Sequence, residues 1–333
     1  MIEVRPEGLY VPAADLWLDA REAPGPVFVS HAHGDHLTRS PAVLCTAETA
    51  AIAARRGQTP TTLITPAWDE PVSRHDAVVH LRPAGHTLGS AMLVVSSREG
   101  TLCYTGDFKR RPNPFSPPVR VPACDVLITE CTFGDPRYRF PPDDLIVAAL
   151  LAFVRDALAE DAVPVVCAYP FGKGQEALWH LLSAGLDVVL HGAIAELTDA
   201  HLALGATLPS TGRWRRYVRG ALETAVLLTT PGSRKSPMVT ALPRRRVCLL
   251  TGWALHPGAA NIYRDCDLVL PLSDHADFDG LLETVRESGA RTIYTVHGTP
   301  TFAAHLRAMG IHATHLAAHP QTRTDAVQLA LEL

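Results

Sequence analysis

The chain has no Cys-x-x-Cys pair, and its seven cysteines (45, 103, 124, 131, 167, 248 and 266) are odd in number and scattered. That spacing excludes both a disulfide framework and a zinc ribbon, and leaves the thiols as small apolar side chains for a core. Long hydrophobic runs are missing as well. No uninterrupted apolar stretch approaches the roughly 20 residues of a membrane span. The opening Met1-Ile2-Glu3-Val4-Arg5-Pro6-Glu7 lacks the basic and apolar regions of a secretory signal. The expectation is a soluble, cytoplasmic protein that meets no membrane. There is no internal repeat and no low-complexity linker, and 333 residues at 47% apolar and 19% charged suffice for one large domain or two ordinary ones.

Positive charge is in slight deficit overall and concentrated in one place. The net charge is -4, yet residues 205–246 hold nine basic side chains against the single acid Glu223, a local +8 that leaves -12 for the rest. A polyanion-binding face on an otherwise acidic protein has this asymmetry, although a solvated basic surface has it too.

Short strands read out of the first third: Leu9–Val11, Leu16–Leu18, Val27–Ser30, Val78–Leu81, Met92–Val95, Leu102–Tyr104 and Val126–Thr129. One helix, 47–56, intervenes with Thr46 as its cap. From about residue 141 the pattern becomes an alternation of helix and strand, as in a parallel α/β unit: helix to Ala159, strand 163–168, helix 175–183 and strand 188–190. Further strands are expected at 225–228, 247–250, 268–270 and 292–296, with helices near 277–288 and 301–309. His31, Asp107, Glu130, His275 and His297 then all fall at or just past the carboxyl ends of strands, where a rigid sheet can aim loop residues at one point.

The densest chemistry lies in His31-Ala32-His33-Gly34-Asp35-His36, four nitrogen and oxygen donors crowded into one turn after an apolar strand. Three more segments carry donors in Gly-rich, apolar surroundings: Gly85-His86-Thr87-Leu88-Gly89-Ser90, Thr105-Gly106-Asp107-Phe108 and Val296-His297-Gly298. With Asp19 ahead of them, this set resembles the four motifs of the metallo-β-lactamase superfamily. Glu130 in Thr129-Glu130-Cys131-Thr132-Phe133-Gly134, His275 in Ser273-Asp274-His275-Ala276-Asp277, and His297 resemble motifs A, B and C of the β-CASP nucleases.

The resemblance implies an α/β architecture: a four-layer αββα metallo-β-lactamase fold from residues 1–140 and 270–333, with a β-CASP α/β cap domain, 141–269, inserted between. It implies two divalent ions, zinc first and manganese as the alternative, sharing a bridging hydroxide. One ion would take His31, His33 and His86, the other Asp35, His36 and His297, with Asp107 bridging. Asp19 would orient a ligand histidine through its far nitrogen. Asp35, Glu130 and His275 are the implied catalytic residues, His275 as general acid and Glu130 holding its tautomer. The cap would contain the whole basic segment, with substrate entering the cleft below. A phosphate track is expected at Lys173, Ser233, Arg234, Lys235 and Ser236, joined by Lys109 and its neighbours Arg110 and Arg111.

Three classes compete: a nuclease, a small-molecule metallo-hydrolase on the same fold, and a metal-binding protein without catalysis. The basic insert and the Glu130, His275, His297 set favour the nuclease. Size and the form of motif B resemble the bacterial DNA-ligase-associated exonucleases, compact relatives of the DNA cross-link repair nucleases and Artemis. That implies a DNA-repair 5' exonuclease acting on single-stranded or end-containing DNA, with a DNA ligase or helicase as functional associate. His297, where the repair nucleases usually carry Val, is typical of RNA-processing relatives and keeps an RNA substrate as the alternative.

Overall fold

The structure, a computed structural model, describes residues 1–218 and 225–316. Arg219, Glu223 and the last stretch of the expected 270–333 segment lie outside the described residues. The described residues form two compact units, Met1–Pro136 with 275–316, and Arg137–Asp274.

The first unit opens with a sheet whose strands pair in chain order: β1 (Glu3–Arg5), β2 (Gly8–Val11), β3 (Leu16–Leu18), β4 (Val27–Phe28), β5 (Ala42–Leu44) and β6 (Thr62–Ile64). Alternation sorts its side chains. Leu16, Leu18, Phe28 and Leu44 enter one core, while Trp17, Val27 and Val43 face the other way, toward the helix Ala47–Arg55. That helix starts as expected, with the Thr46 hydroxyl accepting from Thr49 N–H at 3.1 Å. A second sheet begins with β7 (Val72–Arg74), β8 (Ala77–Pro83), β9 (Ala91–Ser97), β10 (Gly100–Tyr104) and β11 (Val126–Cys131).

The chain then builds the second unit around a wholly parallel sheet: β12 (Val163–Cys167), β13 (Val188–Leu190), β14 (Trp214–Arg216), β15 (Val226–Thr229), β16 (Arg245–Leu250) and β17 (Leu268–Leu270), ordered β14-β13-β15-β12-β16-β17. Its strands are near-continuous Val and Leu runs, the composition of a sheet covered on both faces. Helices Asp143–Ala159 and Lys173–Ser183 supply Leu150, Val154, Leu178 and Leu181 to its core.

Returning to the first unit, β18 (Thr292–Gly298) and β19 (Ala313–His315) complete the second sheet in the order β19-β18-β11-β10-β9-β8-β7. One face, with Leu81, Leu93, Tyr104 and Ile128, meets the first sheet. The other, with Met92, Cys103, Leu127 and Ile293, is covered by helices Phe278–Ser288 and Thr301–Ala308 through Leu281, Val285, Phe302 and Leu306. The layers run α, β, β, α.

Several elements differ from the sequence reading. Strands β1, β5, β6, β7, β14 and β19 have three residues each, too few to display a period, and the expected strand 27–30 is formed only over Val27–Phe28. Helix Gly192–Ala203 was not expected. It buries Ile194, Ala195, Leu197, Thr198, Ala200 and His201, which leaves little polar face for helical periodicity to show. A second correction concerns His275. The strand before it, β17, belongs to the second unit's sheet, so His275 does not cap a strand of the sheet that carries Asp107 and Glu130.

Candidate metal centre

Loops leaving the strand ends of the first unit converge on Asp107. The turn after β4 delivers His31, His33 and His36; the β8–β9 turn delivers His86; the loop after β10 delivers Asp107; and β18 delivers His297. His31 Nε2 lies 2.9 Å from His33 Nδ1, and His86 Nε2 lies 3.1 Å from the same His33 nitrogen. Asp107 Oδ2 lies 3.6 Å from His31 Nε2 and 3.3 Å from His36 Nε2, while the His36 and His297 rings stack at 5.0 Å. Two groups of donors therefore share one carboxylate. His31, His33, His86 and Asp107 form the first and His36, Asp107 and His297 the second, the donor atoms of each lying within 4.8 Å of one another.

Local backbone explains the aim of these side chains. Gly85 to Ser90 closes as a turn in which the Ser90 hydroxyl accepts from the N–H groups of His86 and Thr87 at 3.0 and 3.1 Å. His297 sits at φ 52°, where β18 shifts register against β11, so the bend turns this ring out of the regular alternation.

The chemistry of the donor set fits a divalent cation. Asp107 Oδ1 is buried without a hydrogen-bond partner, a vacancy in polar satisfaction that a cation fills, and an imidazole-rich set with one carboxylate suits zinc. Burial, reinforced by His36 and His86, pushes the His31 imidazole well below its ordinary pKa, toward the neutral form that ligates a metal. Burial alone would raise the Asp107 carboxyl, but the charge of His36 and its hydrogen bond hold it well below the usual carboxylate range. His36 is raised in turn: burial opposes its charge, and Asp107, Asp19 and Asp35 outweigh burial.

Asp35 is placed differently from the rest. Its side chain is 52% exposed, 3.8 Å from His36 Nε2, and it falls outside both donor groups. Burial opposes its ionisation, yet His36 and His33 keep its carboxyl below the usual range.

Glu130 and His275 form a second device against the same aspartate. Both Glu130 oxygens face His275 Nδ1, at 3.1 and 3.0 Å, and Glu130 Oε1 accepts from Phe108 N–H at 2.8 Å. His275 Nδ1 is 4.0 Å from Asp107 Oδ2. With Nδ1 turned to Glu130, the outward chemistry of this imidazole falls to Nε2.

The expected phosphate-binding residues are mostly engaged rather than open. Lys109 is buried at 1% exposure, as is Lys173 at 5%, which bridges Asp274 at 3.3 Å. Arg234, also buried, donates to Asp265 at 2.9 Å and to the Pro231 carbonyl. Ser233 meets the Thr230 hydroxyl at 2.8 Å, Ser236 donates to the Ser233 carbonyl, and Lys235 alone of this group is exposed. In the first unit Arg110 pairs with Glu283 and Glu287, and Arg111 with Asp277. Most of these cations thus have acidic partners within the chain. The exposed remainder includes Arg244 and Arg245, which line a surface groove of about 630 Å³ in the second unit.

Asp19 reaches the centre through partners the sequence did not point to. Ser30 and Tyr104 both bond to it, and neither carries a signal beyond a lone hydroxyl before a histidine cluster and an aromatic in a strand.

Residues 269–316 match the family model of the Zn-dependent metallo-hydrolase RNA specificity domain (RMMBL). Over 310 residues, 92% of this chain, the sequence is 38% identical to a protein named probable DNA ligase from Opitutus terrae, of which the match covers 30%. It is 35% identical over 99 residues to endoribonuclease ysh1 of Aspergillus fumigatus (29% of this chain, 11% of that protein). Against human protein artemis it is 32% identical over 128 residues (35% of this chain, 18% of that protein). The chain thus spans less than a third of the length of each of these relatives. Among solved structures, a protein of unknown function from Enterococcus faecalis V583 shares the fold with a TM-score of 0.63 at 16% identity, over 88% of this chain and 79% of that one.

Proposed function

Because this chain belongs to the β-CASP group of the metallo-β-lactamase superfamily, we propose that it is a metal-dependent nuclease that hydrolyses phosphodiester bonds of DNA, trimming from a 5' end in repair. The observation that carries this reading is the position of Asp107, whose one carboxylate is shared by two histidine groups while His275 stands beside it on Glu130. Two ions would be held by these groups, zinc by preference, and when bound they supply Lewis acidity to a phosphate and lower the pKa of water to about 7.

The chain's own residues do the rest. Asp107 holds the two histidine groups in one frame. Glu130 accepts from His275 Nδ1–H and favours the imidazolium form, in which Nε2–H can pass its proton to the departing oxygen and leave a neutral ring with hydrogen on Nδ1. Phe108 N–H keeps Glu130 from rotating away. The second unit, read as the β-CASP domain, carries the exposed part of the basic segment and is assigned to backbone phosphates.

The match along nearly the whole chain to a protein named probable DNA ligase supports DNA as substrate and a ligase as functional partner. The family model's name and His297 favour a second reading, an RNA-processing nuclease. Matched single-stranded DNA and RNA oligonucleotides, labelled at either end and incubated with zinc or manganese, separate the two. Mononucleotide release from the 5' end of DNA, absent in Asp107→Ala, is expected. Preferential RNA cutting overturns the DNA assignment, and inertness toward both overturns the nuclease reading.

A further inference from the structure

Four hydrogen bonds end on the carboxylate of Asp19, and they determine more than its own position. Oδ1 accepts from Ser30 N–H at 2.7 Å; Oδ2 lies 2.6 Å from Ser30 Oγ, 2.8 Å from the Tyr104 hydroxyl and 2.9 Å from His36 Nδ1. An ionised carboxylate only accepts, so all four partners donate. Ser30 has a single hydroxyl proton, and giving it to Asp19 leaves Ser30 Oγ as an acceptor. The nearer ring nitrogen beside it is His31 Nδ1 at 3.0 Å, with His36 Nδ1 at 3.4 Å already turned to Asp19, so His31 Nδ1 carries the hydrogen that Ser30 Oγ accepts.

We propose that Ser30 and Tyr104 are positioning residues that let the single carboxylate of Asp19 fix hydrogen on Nδ1 of His31 and His36, and with it the orientation of both rings. His36 is set directly and His31 through the Ser30 hydroxyl. In both rings Nδ1 then holds hydrogen, which leaves Nε2, the nitrogen on the Asp107 side, as the one a cation would take. The two histidines belong to different donor groups, so one carboxylate prepares both. Geometry leaves little slack in this arrangement: Asp19, Ser30 and Tyr104 are all buried. Gly106, at φ 53°, lies so close that a Cβ there would stand 2.4 Å from the Ser30 Cβ. The loop bearing Asp107 thus rests on the serine that orients His31.

The inference rests on the metal-centre reading for its consequence, but not for its premise, since the contacts at both Nδ1 atoms are made without metal. The test uses full-length protein, first without metal and then titrated with zinc against a chromophoric chelator. Histidine nitrogen NMR of the wild type should report Nδ1–H at His31 and His36. Ser30→Ala should leave the His36 assignment and mix the His31 tautomers. It should also weaken the zinc equivalent held by His31, His33 and His86 by about 10- to 100-fold, the usual effect of removing an orienting partner. Tyr104→Phe removes one oxygen, keeps the ring in the core, and should weaken both zinc equivalents, because it loosens the shared carboxylate. His31 found with its proton on Nε2 in the wild type overturns the relay. So does zinc affinity unchanged within twofold in both variants. Correct tautomers in a protein that binds no zinc would sink the metal reading and leave the relay standing.

Discussion

Asp107 is the side chain on which the most chemistry converges, and its removal tests the centre most sharply. Asp107→Ala should lose both zinc equivalents together, not one, because the carboxylate belongs to both donor groups; metal content measured beside oligonucleotide hydrolysis checks this. His275→Ala should behave differently. It should retain both ions and bind substrate while turnover falls by about 10²-fold or more, the scale of a lost general acid. Loss of metal in that variant would reassign His275 as a ligand, which its place in a group with Asp107 and Glu130 makes a fair trial. At this scale much of the site was legible, for a physical reason. A metal centre needs several donors within a few ångströms, and the cheapest way to gather them is a short loop, so His31, His33 and His36 stand almost adjacent in the chain. Ser30 and Tyr104 were not legible, because a single hydroxyl acquires its meaning only from the carboxylate it meets across the fold. The burial of Lys109, Lys173 and Arg234 was invisible for the same reason: charge can be counted along a sequence, but its partners cannot.

Among the elements, the join of β11 and β18 carries the most consequence for the site. Gly298 pairs with Cys131 where the register shifts, and a Cβ at Gly298 would stand 2.2 Å from the Cys131 carbonyl oxygen. The preceding residue is His297, held at φ 52° with its carbonyl accepting from the Thr132 hydroxyl at 3.1 Å. Gly298→Ala should therefore separate the strands locally, cost about 1–3 kcal/mol in urea unfolding as overpacked sites do, and draw His297 away from His36. A variant as stable as the wild type that still binds the second zinc equivalent would show that the bulge does not aim His297. The longer strands β8 and β9, and the capped helix Ala47–Arg55, were readable because each spans enough residues for alternation or periodicity to repeat. Strands β5 and β6 have three residues each and draw their stability from neighbours in the sheet, so nothing local announces them. No helix among the described residues is long and apolar enough to cross a membrane.

Charge and protonation act on the whole molecule. His201 is buried in the second unit with its Nδ1 donating to the Leu197 carbonyl at 2.7 Å, and burial pushes its pKa down to about 4. The unfolded chain binds this proton near pH 6.5. Between those values the unfolded state holds a proton that the folded state refuses, so stability falls as pH drops through about 6.5 and the loss is complete near 4. It amounts to about 3 kcal/mol at most. His201→Leu should flatten that acid limb in denaturant titrations, while an unchanged limb would assign the acid sensitivity to other groups. The basic segment makes the opposite kind of contribution, to binding rather than to folding. Once Lys173 and Arg234 are committed to Asp274 and Asp265, the cations able to meet a polyanion are exposed ones such as Lys235, Arg244 and Arg245. Each phosphate neutralised on a single strand contributes a slope of about -0.7 in log affinity against log salt. Arg244 and Arg245 are exposed and bond main-chain carbonyls at 3.3 to 3.4 Å, so their replacement by Ala should spare folding. If both contact the strand, the double variant bound to single-stranded DNA in EDTA should lose about 1.4 from the slope. A slope unchanged in that variant, with intact melting, would show that Arg244 and Arg245 do not contact the strand and assign the phosphate contacts to other cations of the chain.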